Sequence, residues 1–136
     1  MKNNKIIGNE FEKEFALYLQ ERGMFVYNLP NKYTGQPFDI IAVKNNVFYA
    51  FECKHCNNNY FRLDRVEDNQ IQVLRKLNKA STSNYYFVFK FDDCIRFCHV
   101  DYIENCIKIS RKNIKKEELK EIEVLLNEIK ALEMIL

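Results

Sequence analysis

Apolar residues at Ile7, Phe11, Phe15, Tyr18 and Leu19 recur with the three- and four-residue spacing of one helical face, and Gly23 follows where a left-handed cap would close the helix. The spacing predicts a first helix over about Asn9 to Arg22. Phe25-Val26-Tyr27 then reads as a short strand, stopped by the turn-rich Asn28-Leu29-Pro30-Asn31 and Thr34-Gly35. Two denser β-type runs follow, Pro37 to Val43 and Val47 to Lys54, joined by Lys44-Asn45-Asn46. Helical periodicity returns with Val66, Gln70, Val73, Leu74 and Leu77, where Gln70 is a polar amide on an apolar stripe and so calls for a polar pocket. Tyr85 to Phe91 and Cys94 to Val100 read as a further strand pair about Asp92-Asp93. A last helix from about Lys115 carries Leu119, Ile122, Leu126, Ile129 and Leu132, a stripe that needs a partner surface in its own domain or a second subunit. The predicted order is αβββαββα.

The chain of 136 residues suits one compact domain over residues 1–136. Its aromatic share is high, so it can fold without a disulfide scaffold. Five cysteines is an odd count, and with no secretory leader pattern at the start the expected location is the reducing cytoplasm. No apolar run is long enough to span a bilayer. A net charge of +2 is too small to indicate nucleic acid by itself. Any basic surface must come from local clustering, for which Arg62, Arg65, Arg75, Lys76 and Lys79 are candidates.

Chemistry concentrates on the central strand pair. With Asn45-Asn46 as a two-residue hairpin loop, Ile41 opposes Ala50, Val43 opposes Phe48 and Asp39 opposes Glu52. Opposed Cβ atoms lie about 4.5–5.5 Å apart, where two carboxylates repel unless something sits between them, and a divalent cation is the natural occupant. Side-chain alternation puts Lys54 on the face of Glu52 and turns Cys53 to the other. Charged residues within apolar strands carry a desolvation cost that a purely structural strand avoids. The competing reading is an ion pair on a half-exposed hairpin. Cys53 with Cys56 and Cys94 with Cys98 resemble two zinc-ligand pairs, but Cys53 alternates to the core face and neither pair sits in a Gly-containing knuckle, so buried free thiols account for them better.

These residues carry a resemblance to the PD-(D/E)xK nuclease superfamily, and within it to Holliday-junction resolvases of the RecU and archaeal Hjc types. Gly8 with Glu12 resembles their first-helix motif, Asp39 their lone aspartate, and Glu52-Cys53-Lys54 their Glu-x-Lys, while Phe61, Leu63 and Gln70 resemble a RecU run in which Phe-x-Leu precedes a helical glutamine. Phe38 stands where the motif has proline, with Pro37 one place earlier. The similarity covers about residues 8 to 90, leaves the C-terminal helix within 113–136 outside it, and the short chain fits a small phage or prophage version.

The resemblance implies a restriction-endonuclease-like mixed central β-sheet flanked by helices, and a Mg²⁺-dependent endodeoxyribonuclease with Mn²⁺ as substitute. Asp39, Glu52 and the Cys53 backbone carbonyl would be the metal ligands, with Glu12 acting through water. Lys54 would orient the attacking water or neutralise charge on the phosphate, and Gln70 would position the lysine, the water or a phosphate oxygen. Cleavage would leave a 5′-phosphate and a 3′-hydroxyl. The implied partners are four-way or otherwise branched DNA and a second copy in a homodimer. For Glu12 the competing reading is a solvated helix residue, since helical angle alone does not separate it from Glu14. The alternative functions are a restriction-like or repair endonuclease on duplex DNA and a non-catalytic nucleic-acid-binding module of the same fold.

Overall fold

The computed structural model describes residues 4–29, 38–79 and 84–135. The element order is α1 (Asn4–Gln20), β1 (Phe25–Asn28), β2 (Ile40–Lys44), β3 (Val47–His55), β4 (Tyr60–Arg62), a 3-10 turn (Leu63–Arg65), α2 (Asp68–Lys79), β5 (Tyr85–Lys90), β6 (Ile95–His99), α3 (Val100–Lys108), β7 (Asn113–Lys115), a second 3-10 turn (Lys116–Glu118), β8 (Lys120–Glu121) and α4 (Ile122–Ile135). The helix α1 begins earlier than its apolar spacing suggests. It ends as expected, with Gly23 at φ +82° and Met24 N–H reaching back to the Leu19 carbonyl at 3.3 Å, a Schellman closure that glycine makes without strain.

Six strands form one mixed sheet in the order β1-β2-β3-β5-β6-β8, and β4 pairs with β7 in a separate ribbon. Among the described residues, only β3 and β5 run parallel. The β2–β3 hairpin has the expected register, with Ile41 opposite Ala50 and Val43 opposite Phe48. Asn45 and Asn46 both take positive φ, 51° and 66°, as a two-residue primed turn requires. Pro37, where the second strand was expected to start, and the Pro30–Gly35 part of the expected turn fall outside the described residues.

Each face of the sheet is buried. Phe11, Phe15 and Leu19 of α1 and Ile122, Leu125, Leu126 and Ile129 of α4 pack with Ile40, Phe51, Val88 and Phe97 on one side. Ala50, Tyr85, Phe87 and Phe89 pack on the other with Phe61 of the ribbon and Val100, Ile103 and Cys106 of α3. The middle of β3, Tyr49 to Glu52, is therefore buried on both faces. A central strand covered by helices on each side is apolar along its length, which makes a carboxylate there conspicuous.

Three features depart from the αβββαββα expectation. A helix follows β6: Val100, read as the end of a strand, begins α3, because the His99 ring nitrogen accepts from Asp101 N–H at 3.1 Å and caps the turn. Tyr60–Arg62 and Asn113–Lys115 form the extra ribbon. The last helix starts at Ile122 and not near Lys115; Leu119 is in phase with its stripe but precedes β8, which pairs with β6. The stripe of α4 finds its partner within this chain, where Glu123 accepts a hydrogen bond from the Tyr18 hydroxyl and lies 3.6 Å from Arg22. Among the described residues, no helix is long and apolar enough to cross a membrane.

Phe15 is fully buried, with its ring edge-on to Phe51 at 5.2 Å, and ties α1 to the back of the hairpin. Phe15→Ala is expected to cost about 3–5 kcal/mol of unfolding free energy in urea titration, as truncation of a fully buried ring does.

Candidate active site

Glu52 lies in the buried stretch of β3 with 3% of its surface exposed. Asp39 is the bend residue immediately before β2. The paired register stops at Ile40 opposite Phe51, and Asp39 N–H also donates to the Phe51 carbonyl, so the chain turns at Asp39 rather than continuing as a flat ladder. That bend lets its carboxylate oxygen accept the Cys53 N–H at 2.8 Å. Its side chain is also close enough to both Glu52 and Glu12 to oppose their ionisation.

The electrostatics follow from burial. Glu52 is pushed well above the usual carboxylate range, first by desolvation and then by the Asp39 carboxylate against it, with Lys54 opposing. Glu12, brought over from α1, is pushed up to about 7 by desolvation and then by the charge of Asp39. The Lys54 ammonium lies 3.7 Å from Glu52 and donates to the Arg65 backbone carbonyl at 3.3 Å. Cys53 packs toward the opposite core, as alternation requires. Four of the five sequence candidates thus come together, and Glu12 is selected over Glu14, which pairs instead with Lys90 at 2.8 Å.

Gln70 is buried but makes no hydrogen bond with these four. It is the third residue of α2, and its amide oxygen accepts the Glu67 N–H at 3.1 Å, so it closes the helix start as half of a capping box. Two contributors were not read from sequence. One is the Arg65 carbonyl. The other is Tyr85, a buried phenol in parallel register with Ala50, whose ionisation is opposed by burial and then by the charges of Glu52 and Asp39. Neither carried a sequence signal, because the first is backbone and the second depends on which strand pairs in parallel with β3.

Three carboxylates face one ammonium, an all-oxygen side-chain set with excess negative charge, which fits a hard divalent cation. Among the described residues, no three His, Cys, Asp or Glu side chains converge closely enough to hold an ion by themselves. An ion there would complete its shell with carbonyl and water oxygens, as Mg²⁺ prefers.

A mixed sheet with this acidic hairpin against its first helix defines the restriction-endonuclease-like class of nucleases. More narrowly, a family model described as archaeal Holliday junction resolvase (Hjc) matches residues 3–133, and the chain belongs to that family. Hjc of Archaeoglobus fulgidus, described as a Holliday junction resolvase from an archaeal hyperthermophile, shares the fold with a TM-score of 0.66 over 88% of this chain and 98% of its own, at 17% identity. The Holliday junction resolvase RecU of Mycoplasmopsis pulmonis (strain UAB CTIP) is 33% identical over 55 residues, 40% of this chain and 35% of that protein. The match therefore spans about a third of that relative's length.

The raised carboxylates make stability depend on pH in a defined direction. The folded protein holds protons that the unfolded chain releases above the ordinary glutamate value of 4.5, so this contribution is full below that pH and lost as pH rises through about 7 for Glu12 and through the raised range of Glu52. Glu118, held down to about 2 first by Arg111, titrates below this window. Thermal melts of metal-free protein from pH 5 to 8 are expected to show a falling midpoint. Glu52→Gln should raise it by about 3–6 °C at pH 8, and the stabilisation by added Mg²⁺ should grow over the same interval. A flat profile would show that the acidic cluster carries no such load.

Proposed function

We propose that this chain is a metal-dependent endodeoxyribonuclease that cuts four-way DNA junctions as a homodimer in the cytoplasm. The observation that carries this reading is the convergence of Asp39, Glu52 and Lys54 at one end of the buried hairpin of a resolvase-family chain. Asp39, Glu52 and the Cys53 carbonyl would hold Mg²⁺, or Mn²⁺ in its place, with Glu12 reaching it through water. The bound ion supplies Lewis acidity toward the phosphate and its attacking water.

The chain's own groups do the rest. Lys54, held between the Glu52 carboxylate and the Arg65 carbonyl, aims its ammonium where negative charge grows on the phosphate. Asp39 is oriented by the Cys53 N–H, which fixes its lone pairs before substrate arrives. Gln70 has its oxygen committed to the helix start and leaves its amide N–H groups to a phosphate oxygen. Attack by water forms the new P–O bond as the bond to the 3′ oxygen breaks, giving a 5′-phosphate and a 3′-hydroxyl.

Purified protein with Mg²⁺ is tested on labelled four-way junction, fork, flap, single strand and duplex. Symmetric nicks across the junction are expected, and preferential duplex cutting would replace junction resolution with a restriction-like activity. Asp39→Asn and Glu52→Gln should each lower cleavage at least about 100-fold. Undiminished cleavage would show the site to be elsewhere. Two symmetric cuts need two sites, so gel filtration under assay conditions should give a dimer; a monomer counts against paired resolution.

A further inference from the structure

Arg65 contributes its carbonyl to Lys54, and its guanidinium is left over. The other five arginines each lie within 4 Å of a carboxylate: Arg22 by Glu123, Arg62 by Asp64, Arg75 by Glu104, Arg96 by Glu121 and Arg111 by Glu118. Among the described residues, Arg65 has no carboxylate partner. Its guanidinium is held by neutral groups instead. One nitrogen donates to the His55 carbonyl at 2.9 Å, the ring of Phe61 lies 5.3 Å below, and the Cys56 thiol is alongside. Phe61 is fully buried, so the stacking surface is rigid.

The physical result is an ordered, exposed cation that is in ion-pair contact with no carboxylate among the described residues and feels the neighbouring Asp64 only through space. A guanidinium has five N–H donors, and one is committed to the His55 carbonyl. The remaining donors are pre-oriented, which lowers the entropy cost of engaging a planar pair of anionic oxygens. Arg65 also sits where charge is needed, since the three carboxylates of the site repel a polyanion and Lys54 offsets one of them. The 3-10 turn that carries it is anchored by Leu63 N–H donating to the Lys112 carbonyl, next to the ribbon.

We propose that Arg65 is a substrate-binding residue that clamps a phosphate of the DNA backbone beside the one being cut. The inference rests on the nuclease function and adds to it a named anchor. Arg65 acts mainly on binding, whereas Lys54 acts on the transition state.

The test is R65Q, which keeps the backbone carbonyl that holds Lys54. Binding to labelled four-way junction is followed by fluorescence anisotropy over a salt series in the presence of EDTA, and cleavage with Mg²⁺ is measured in parallel. Affinity is expected to fall about tenfold at low salt, and the slope of log K against log salt to shrink by about one. Most of the loss in kcat/KM should appear in KM. R65K should restore the slope but only part of the affinity, because a point charge replaces a fork, and it serves as the deciding variant if R65Q fails to fold. R75Q, which removes an arginine already paired with Glu104, should move the slope by less than half as much.

An unchanged slope in R65Q or a normal affinity with the whole loss in kcat overturns the inference while leaving the nuclease function intact. A wild-type protein that neither binds nor cuts any of the DNA substrates overturns both.

Discussion

Everything distinctive about this protein follows from a carboxylate placed in a central strand that is buried on both faces. Glu52 is almost wholly withdrawn from solvent, and Asp39 is pressed against it at the mouth of the hairpin. Desolvation and like charge act in the same direction, so the pair is tolerated only with a proton or a cation between the oxygens. Lys54 supplies part of that compensation at 3.7 Å. The rest is a demand that a proton or a hard cation fits.

Holding such a cluster requires a stiff frame, and aromatic packing provides it. Phe15 and Phe51 meet edge to face behind the hairpin, Phe38 and Tyr85 meet at 5.6 Å on the side of the acids, and Phe61 and Phe89 meet at 4.9 Å where the ribbon covers β5. Each of these contacts also delivers a polar group. Helix α1 brings Glu12, β5 brings the Tyr85 phenol, and the turn after the ribbon brings the Arg65 carbonyl and guanidinium. The site is assembled at the junction of both cores, so packing on either side sets its geometry.

Several of these features were legible in the residues alone. The α1 stripe needed only a count of three and four, and the Asn45-Asn46 loop set the hairpin register because both residues accept positive φ. Once that register was known, alternation placed Glu52 with Lys54 and sent Cys53 to the opposite core. Where reading failed, a local cap or a distant contact was stronger than the apolar pattern. Val100 is as apolar as the strand before it, yet the ring of His99 caps it into a helix. Leu119 keeps the helical phase of α4, yet Arg96 draws its carbonyl into a hydrogen bond at 2.9 Å and the chain pairs with β6 before the helix begins. Gln70 signals a buried amide correctly, but its oxygen serves its own helix.

By itself the chain determined many features governed by neighbours within a few residues, the α1 face and the turn chemistry among them, and the hairpin pattern offered Asp39, Glu52 and Lys54 as candidate chemistry, while Glu12 stood apart from Glu14 only through the family resemblance. Such features are local because side-chain period and backbone φ are properties of short segments. Tertiary structure decided which segments meet across distance. It pairs β3 with β5 and so sets Tyr85 beside the acids, and it bends the chain at Asp39 so that its carboxylate caps Cys53 N–H. It also folds the 62–65 segment back over Lys54. Those contacts depend on the burial of two hydrophobic faces at once, and no short stretch of sequence contains both faces.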